Sequence, residues 1–179
     1  MVKKIFIALA AILVMLTGLI LMQPASYKVV RSTNINASQS DVFALIDDFH
    51  RWEKWSPWAK IDPNMKTTYS GAAKGTGAIY YWIGNGDVGE GRMTIQESSP
   101  SDRVAIKLEF IKPFESNSIT TFLLKPEGSG STNVTWEMAG DNTFMGKAMS
   151  LFASMDSMIG GDFEKGLRQM KAAGESAGK

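Results

Sequence analysis

The stretch RVAIKLEFI at residues 103–111 alternates apolar and polar side chains along its length. The apolar side chains at positions 104, 106, 108 and 110 fall on one face, and Lys107 and Glu109 fall on the other. This period of two predicts a β-strand with one dry and one wet face, which is typical of antiparallel sheets. The sequence on both sides of the stretch repeats the pattern.

Period-two alternation runs from Lys66 to Asp141 and is broken by turn residues at regular intervals. It predicts six strands, at residues 66–70, 78–83, 90–98, 103–111, 118–124 and 132–139. Tyr27 to Ile35 is rich in β-branched residues and predicts one strand more. We therefore expect a curved antiparallel sheet of about seven strands.

Two short helices are predicted between the first strand and the second. Ser38 and Asp41 have the spacing of an N-cap and its N3 partner, and apolar residues follow at helical spacing. A second helical piece from His50 to Trp55 should end before Pro57.

A long helix is predicted from Phe144 to about Ala173, because apolar residues form one stripe along it. Gly160-Gly161 interrupts the stripe and predicts a kink, which would act as a hinge. The sheet and this helix should cover each other in an α+β domain.

The N-terminus carries an uncharged apolar stretch from Ile5 to Met22, preceded by Lys3 and Lys4. At a rise of 1.5 Å per residue this stretch forms a helix of about 27 Å, close to the thickness of a bilayer's hydrocarbon core. A cleavable signal is the alternative, but cleavage nearby would place Gln23 or Pro24 where a small residue is needed.

We therefore expect an uncleaved transmembrane anchor at residues 1–25, a domain at residues 26–174 and a frayed tail at residues 175–179. The positive-inside rule favours a cytoplasmic N-terminus. In a bacterium the domain would then be periplasmic on a single-pass inner-membrane protein. Cleavage would instead give a free periplasmic or secreted protein.

Composition excludes several classes of function. The 19 basic and 18 acidic residues give a net charge of +1, which argues against a nucleic-acid partner. The chain has no cysteine and a single histidine, His50, so we predict no metal site and no cofactor. The letters of Gly84 to Gly89 match a dinucleotide fingerprint, but a strand follows where that motif requires a helix, so we predict a hairpin turn on Asn85-Gly86.

Several local motifs carry a family resemblance. They are VFALIDDF at 42–49, WSPW at 55–58, GEGRMTI at 89–95, VTWEM at 134–138 and GDFEKGL at 161–167. With the order of elements, they resemble the START-like helix-grip (SRPBCC) superfamily, in its polyketide cyclase/dehydrase and lipid-transport branch. The resemblance covers about Tyr27 to Lys171 and implies a helix-grip fold with an internal apolar cavity.

The resemblance implies a hydrophobic small molecule or lipid as the ligand, bound in the cavity and held near a membrane by the N-terminal helix. The predicted ligand-binding residues lie on the inward faces of the sheet and of the last helix: Tyr80, Trp82, Met93, Ile95, Ile106, Leu108, Phe110, Phe122, Trp136, Met138, Met155, Ile159 and Phe163. We expect the ligand to enter between the last helix and the loops around residues 75–77 and 113–114. The sequence does not identify a protein partner.

Two alternatives remain open at this point: a cyclase or dehydrase type of enzyme, and a protein-interaction module with a closed cavity. No catalytic residue is assigned, and the balance leans against an enzyme. His50 is interpreted as an exposed residue at a helix end, with a general base as the alternative. Trp52, Trp55 and Trp58 either pack the short helices on the sheet or lie at a cavity mouth.

Overall fold

The computed structural model describes residues 2–177. Its helices are α1 (Val2–Leu21), α2 (Gln39–Ile46), a 3-10 helix (Phe49–Lys54), α3 (Phe144–Ser150) and α4 (Met155–Ala177). Its strands are β1 (Ser26–Ile35), β2 (Lys66–Gly71), β3 (Ala78–Ile83), β4 (Glu90–Ser99), β5 (Arg103–Lys112), β6 (Ser116–Pro126) and β7 (Thr132–Asp141).

The seven strands form one antiparallel sheet in the order β1-β7-β6-β5-β4-β3-β2. α4 packs along β1 and covers the concave face through buried apolar residues that include Phe163, Leu167 and Met170. This arrangement confirms the predicted α+β helix-grip architecture. Seven strands with one dry face are what the period-two alternation required.

The two ends of the sheet differ, and we name them by the chain segments that they carry. The proximal end carries the start of β1 next to the end of β7, where Ser26 pairs with Asp141, together with the β3–β4 and β5–β6 turns. The distal end carries the β2–β3, β4–β5 and β6–β7 turns. Each strand runs from one end of the sheet to the other, so it has a proximal half and a distal half.

The distal half of the concave face is filled by side chains from α2 and the 3-10 helix. Ser38 caps α2, as predicted, and accepts a hydrogen bond from the Asp41 N–H. The indole N–H groups of Trp52 and Trp55 donate to the carbonyls of Ile46 and Leu45, at 2.9 and 2.8 Å. These bonds satisfy two buried donors and tie the 3-10 helix to α2, so both indoles stay in the core.

The C-terminal helical region differs from the prediction of one helix with a kink at Gly160-Gly161. It is two helices, separated at residues 151–154, because Ser154 accepts a hydrogen bond from the Ser157 N–H and caps a new helix, α4. Both glycines lie inside α4. α4 is therefore unbroken at this position, and a bend of its axis there stays a prediction.

Gly160 has a packing role instead. A Cβ at this position would collide with the guanidinium of Arg31. That guanidinium pairs with Asp156 at 2.7 Å and with Glu164 at 2.9 Å, one turn of α4 to either side of the glycine. The missing side chain thus leaves room for the Arg31 guanidinium to lie across α4 between its two carboxylate partners.

The β3–β4 hairpin is also longer than a two-residue turn on Asn85-Gly86. Its loop spans residues 84–89, and the residue with a positive φ is Gly89, at +64°. A Cβ on Gly89 would collide with the carbonyl oxygen of Lys112. A strand follows this loop, so the expected hairpin is confirmed and the tight-turn geometry is wrong.

α1 stands outside the core, since it has no buried residue and the core begins at Val29. It is long and apolar enough to cross a membrane. At the other terminus, α4 continues past the predicted domain limit at residue 174 as far as Ala177. The frayed tail stays a prediction, and its last two residues lie outside the described range.

Two glycines of α4 provide a matched test of this packing. A Cβ on Gly166 would lie 2.7 Å from the Trp136 ring and 3.1 Å from Pro57, whereas a Cβ on Gly161 would meet nothing within 4 Å. We expect Gly166→Ala to lower the free energy of unfolding by about 1–2 kcal/mol, because Trp136 is fully packed and cannot move aside. Gly161→Ala should raise it by up to about 1 kcal/mol through helix propensity.

Urea unfolding of residues 26–179, followed by tryptophan fluorescence, measures both changes. Equal effects of the two substitutions would contradict the proposed close packing of α4 on Trp136.

Candidate ligand-binding cavity

A cavity of about 740 Å³ occupies the proximal half of the concave face. Its walls are strand residues from the proximal half of the sheet, the first three turns of α4 and the segment from Ser56 to Met65. Residues of the 3-10 helix and of the β3–β4 loop complete them. α2 contributes no residue to the lining, and the 3-10 helix meets the cavity only through Phe49, Trp52 and Glu53. The sheet therefore encloses a filled core at one end and an open space at the other.

Ten of the thirteen predicted ligand-binding residues line this cavity. They are Tyr80, Trp82, Met93, Leu108, Phe110, Trp136, Met138, Met155, Ile159 and Phe163. Tyr80 and Trp82 point inward, as the burial argument predicted, and their rings stack with centroids 5.9 Å apart. The structure therefore brings this predicted set into one wall, and its ligand-binding role stays a prediction.

The other three predicted residues, Ile95, Ile106 and Phe122, do not line the cavity. All three are fully buried in the core. Phe122 is covered by the edges of Trp52 and Trp55, at centroid distances of 6.0 and 5.8 Å. They share the inward face with the lining residues but lie farther toward the distal end, where the helices cover the sheet.

Trp136 marks the boundary between core and cavity. Its ring stacks on Phe122 at 4.9 Å on the core side and on Phe163 of α4 at 4.1 Å. The Trp136 indole N–H donates to the Thr120 hydroxyl at 3.2 Å, which satisfies its only polar atom. Because these contacts fix the ring, this part of the wall is preformed.

Several lining residues were absent from the predicted set. Besides Phe49, Trp52 and Trp58, they include Tyr27 and Met65. The tryptophans of the WSPW region serve both roles considered above: Trp55 is core, while Trp52 and Trp58 pack on aromatic neighbours and also line the cavity. The number of aromatic residues between 49 and 58 was the available signal, but sequence did not show which of them face the empty half.

Charged and polar groups occur at the rim. Glu53, Lys60 and Asp87 line the cavity and are exposed to solvent. Asp62 is buried and accepts hydrogen bonds from the backbone N–H groups of Asn64, at 2.9 Å, and Asn85, at 2.8 Å. The Asp62 carboxylate thus holds the 56–65 segment against the β3–β4 loop, which keeps this side of the rim in place.

Tyr80 places a hydroxyl inside the apolar wall. Burial raises the pKa of Tyr80 to about 12, and the neighbouring Tyr69 phenol acts in the same direction. The hydroxyl therefore remains protonated at any physiological pH. It is suited to donate a hydrogen bond to a ligand and poorly suited to act as a base.

His50 lies outside the cavity. Its ring is exposed, stacks on Tyr69 at 4.0 Å and places Nδ1 3.0 Å from Asp48 Oδ1. This placement agrees with an exposed histidine at a helix end. Among residues 2–177, no group of three or more His, Asp and Glu side chains could hold a metal ion.

The two loops of the predicted entrance lie at opposite ends of the sheet, and the use of either by a ligand stays a prediction. The 75–77 loop lies at the distal end, where Gly75 and Gly77 donate backbone hydrogen bonds to the carbonyls of Asp47 and Ile95, both at 2.9 Å. The 113–114 turn lies at the proximal end, next to Ser116 of the cavity lining. The exposed lining residue Asp87 belongs to the β3–β4 loop, so solvent reaches the cavity at the proximal end.

A seven-stranded sheet, a covering C-terminal helix and an apolar cavity between them define a helix-grip domain. The sequence model of the family described as "Polyketide cyclase / dehydrase and lipid transport" matches residues 26–175. The chain therefore belongs to this family, which confirms the resemblance drawn from the motifs. No curated protein matches the chain.

Solved structures share the fold. A Helicobacter pylori protein has a TM-score of 0.64 at 12% identity, over 83% of this chain and 88% of its own. A Thermobifida fusca protein has a TM-score of 0.58 at 24% identity, over 80% of this chain and 90% of its own. Major latex-like protein 151 from Panax ginseng has a TM-score of 0.59 at 13% identity, over 84% of this chain and 99% of its own.

The raised pKa of Tyr80 predicts a titration. Unfolded chains release the tyrosine proton near pH 10, whereas folded Tyr80 keeps it until about pH 12. In this interval the unfolded state binds fewer protons, so stability should fall as pH rises. Ultraviolet titration of tyrosinate should show a last step near pH 12 that Tyr80→Phe removes.

Tyr81→Phe is the matched control, since the Tyr81 phenol lies on the other face of β3 and donates to Glu90 at 2.6 Å. A last step that survives Tyr80→Phe would show that Tyr80 is not the buried phenol.

Proposed function

We propose that this protein binds a hydrophobic small molecule or lipid in the proximal cavity and carries or presents it without chemical change. The observation that carries the proposal is the 740 Å³ cavity itself, whose walls are mostly apolar and aromatic. Ligand pockets of a few hundred to about 1,000 Å³ hold most drug-sized molecules. Family membership supports this choice, because the family includes lipid-transport proteins.

The wall favours a ligand with a rigid or ring-containing apolar body. Trp58, Trp82 and Trp136 line the cavity, and aromatic side chains bind other planar groups well. Met93, Met138 and Met155 line the same space, and flexible thioethers adapt to varied shapes. Burial of the ligand would stabilise the complex by about 25 cal/mol per Å² of apolar area.

Polar groups would set the direction of the ligand. The Tyr80 hydroxyl is a donor inside the wall, whereas Glu53, Lys60 and Asp87 are at the rim. An amphipathic ligand would place its apolar body against the tryptophans and its polar end near the rim. Apolar burial would then supply affinity, and the few polar contacts would supply orientation.

We further propose that α1 tethers the domain to a membrane as a single-pass anchor, with the domain on the periplasmic side of a bacterial inner membrane. Its 20 residues form a helix of about 30 Å, which matches the hydrocarbon core of a bilayer. A tether raises the effective concentration of membrane lipids at the cavity.

Carrying fits this cavity better than catalysis. A cyclase or dehydrase needs a group that moves protons on the ligand. Tyr27, Tyr69 and Tyr80 are phenols in the lining, and burial raises the pKa of each, so all three stay protonated. The carboxylate of Asp62 is occupied by backbone N–H groups. His50, the other candidate base, lies outside the lining.

Blocking the cavity should abolish binding. Leu108→Trp adds an indole to the wall from the middle of β5 and should weaken binding of the apolar fluorophore N-phenyl-1-naphthylamine about tenfold or more, equivalent to about 1.4 kcal/mol. Fluorescence titration of the purified protein measures this change. Native mass spectrometry of protein purified from cells, followed by organic extraction, would identify a natural ligand.

Ile119→Trp is the matched control, because Ile119 lies on the neighbouring strand, in register with Lys107 on the outer face, and is exposed. Equal binding by both variants would place the fluorophore elsewhere. No binding by the unsubstituted protein, with no co-purifying ligand, would favour the protein-interaction module.

A further inference from the structure

The proximal end of the domain carries an exposed apolar surface. It consists of Phe114 in the β5–β6 turn, Phe144, Met145 and Met149 on α3, and Phe152 between α3 and α4. Phe152 is 91% exposed, and Phe144 and Phe114 are 57% and 55% exposed. We call these five residues the apolar platform. Aromatic rings exposed to this degree in one region mark an interaction surface.

The platform is a continuous feature of the fold. α3 follows directly after β7, whose last residue, Asp141, pairs with Ser26 at the start of β1. Met145 and Met149 are four residues apart and so share one side of α3, and Phe152 follows two residues after the helix ends. Phe114 lies in the β5–β6 turn, which is also at the proximal end of the sheet.

The C-terminal end of α1 meets the domain at this same place. The Asn142 backbone N–H donates to the Ala25 carbonyl at 2.8 Å, and its side-chain amide donates to the Pro24 carbonyl at 2.9 Å. α1 contacts α3, and the Lys147 ammonium lies 3.5 Å from the Leu21 carbonyl. The domain is thus attached to α1 through the element that carries most of the platform.

We propose that the apolar platform inserts into the interfacial layer of the bilayer that α1 spans. This inference rests on the proposed function of α1 as an anchor. Only residues 22–25 separate α1 from β1, and four residues span at most about 14 Å. Because the Asn142 hydrogen bonds hold the last of these residues, α3 lies at the membrane surface, where its apolar side chains leave water.

The lipid surface is favoured over a protein as the occupant because of this continuity with α1. Rings of Phe and side chains of Met, on a short helix parallel to an interface, are typical of helices that lie in the headgroup region. The charged residue of α3 is Lys147, whose ammonium lies 3.5 Å from the Leu21 carbonyl, so the exposed apolar side chains are what would enter the lipid. Insertion of the platform should therefore occur in zwitterionic lipid and should not require anionic lipid.

The platform and the cavity lie close to each other in the fold. Met155 and Ile159 line the cavity and lie on the first turns of α4, shortly after Phe152. Ser116, another lining residue, follows two residues after Phe114. The opening and the platform therefore share the proximal end. A hydrophobic ligand would pass between the interfacial layer of the bilayer and the cavity with little exposure to water.

The absence of cysteine makes the test direct, since any introduced thiol is unique. Full-length Phe152→Cys, labelled with the environment-sensitive fluorophore NBD, is reconstituted into phosphatidylcholine vesicles and isolated by flotation. Ser129→Cys, in the exposed β6–β7 turn at the distal end, is the matched control. Lipids carrying a doxyl group on the acyl chain quench from within the bilayer, and iodide quenches from water.

We expect NBD at position 152 to emit at shorter wavelength, to be quenched by doxyl lipid and to be shielded at least threefold from iodide relative to position 129. Equal behaviour of the two positions in floated vesicles would overturn the platform and leave the anchor intact. Shielding from iodide without doxyl quenching would mean that protein covers the surface, which also overturns it.

A chain that does not float overturns both the anchor and the platform. Fluorophore binding by Phe152→Cys, measured with N-phenyl-1-naphthylamine before labelling, reports the cavity separately. Failure of the membrane inference is thereby distinguished from failure of the ligand-binding proposal.

Discussion

The stacking of Trp136 between Phe122 and Phe163 is the contact on which the rest of the domain depends. The Trp136 ring of β7 packs on Phe122 of β6 and on Phe163 of α4. Trp55 and Trp58 meet the same ring edge-on, at centroid distances of 5.6 and 5.8 Å, so the segment after α2 is fixed to it as well. Edge-to-face and offset contacts of this kind add to the burial of apolar area.

This cluster separates two functions within one sheet. On its distal side, the indoles of Trp52 and Trp55 fill the space between helices and strands and stabilise the fold. On its proximal side, Trp58, Tyr80 and Trp82 lie along the walls and leave a cavity between them. The domain thus keeps a fully packed core while leaving an apolar space available, and loss of the cavity contents need not affect the core.

The proximal end concentrates the features that bear on function. The cavity opening, the apolar platform and the attachment of α1 all lie there, whereas the distal end carries short polar turns. In the proposed arrangement, the stable half of the domain points away from the membrane and the binding half points toward it. This polarity follows from strand direction, since β1 leaves α1 at the proximal end and every other strand is antiparallel to its neighbours.

Sequence alone determined the seven strands, the cap at Ser38, the apolar helix at the N-terminus and the inward face of the sheet, because side-chain periodicity and capping are local properties. Period two assigned Leu108 and Ile106 to the same face, but it carries no information on position along a strand relative to a distant helix. Only the tertiary structure decided that Leu108 lines a cavity while Ile106 is core. It likewise decided that α4 begins at Met155 and that Gly160 accommodates Arg31, because these outcomes depend on contacts between residues far apart in the chain.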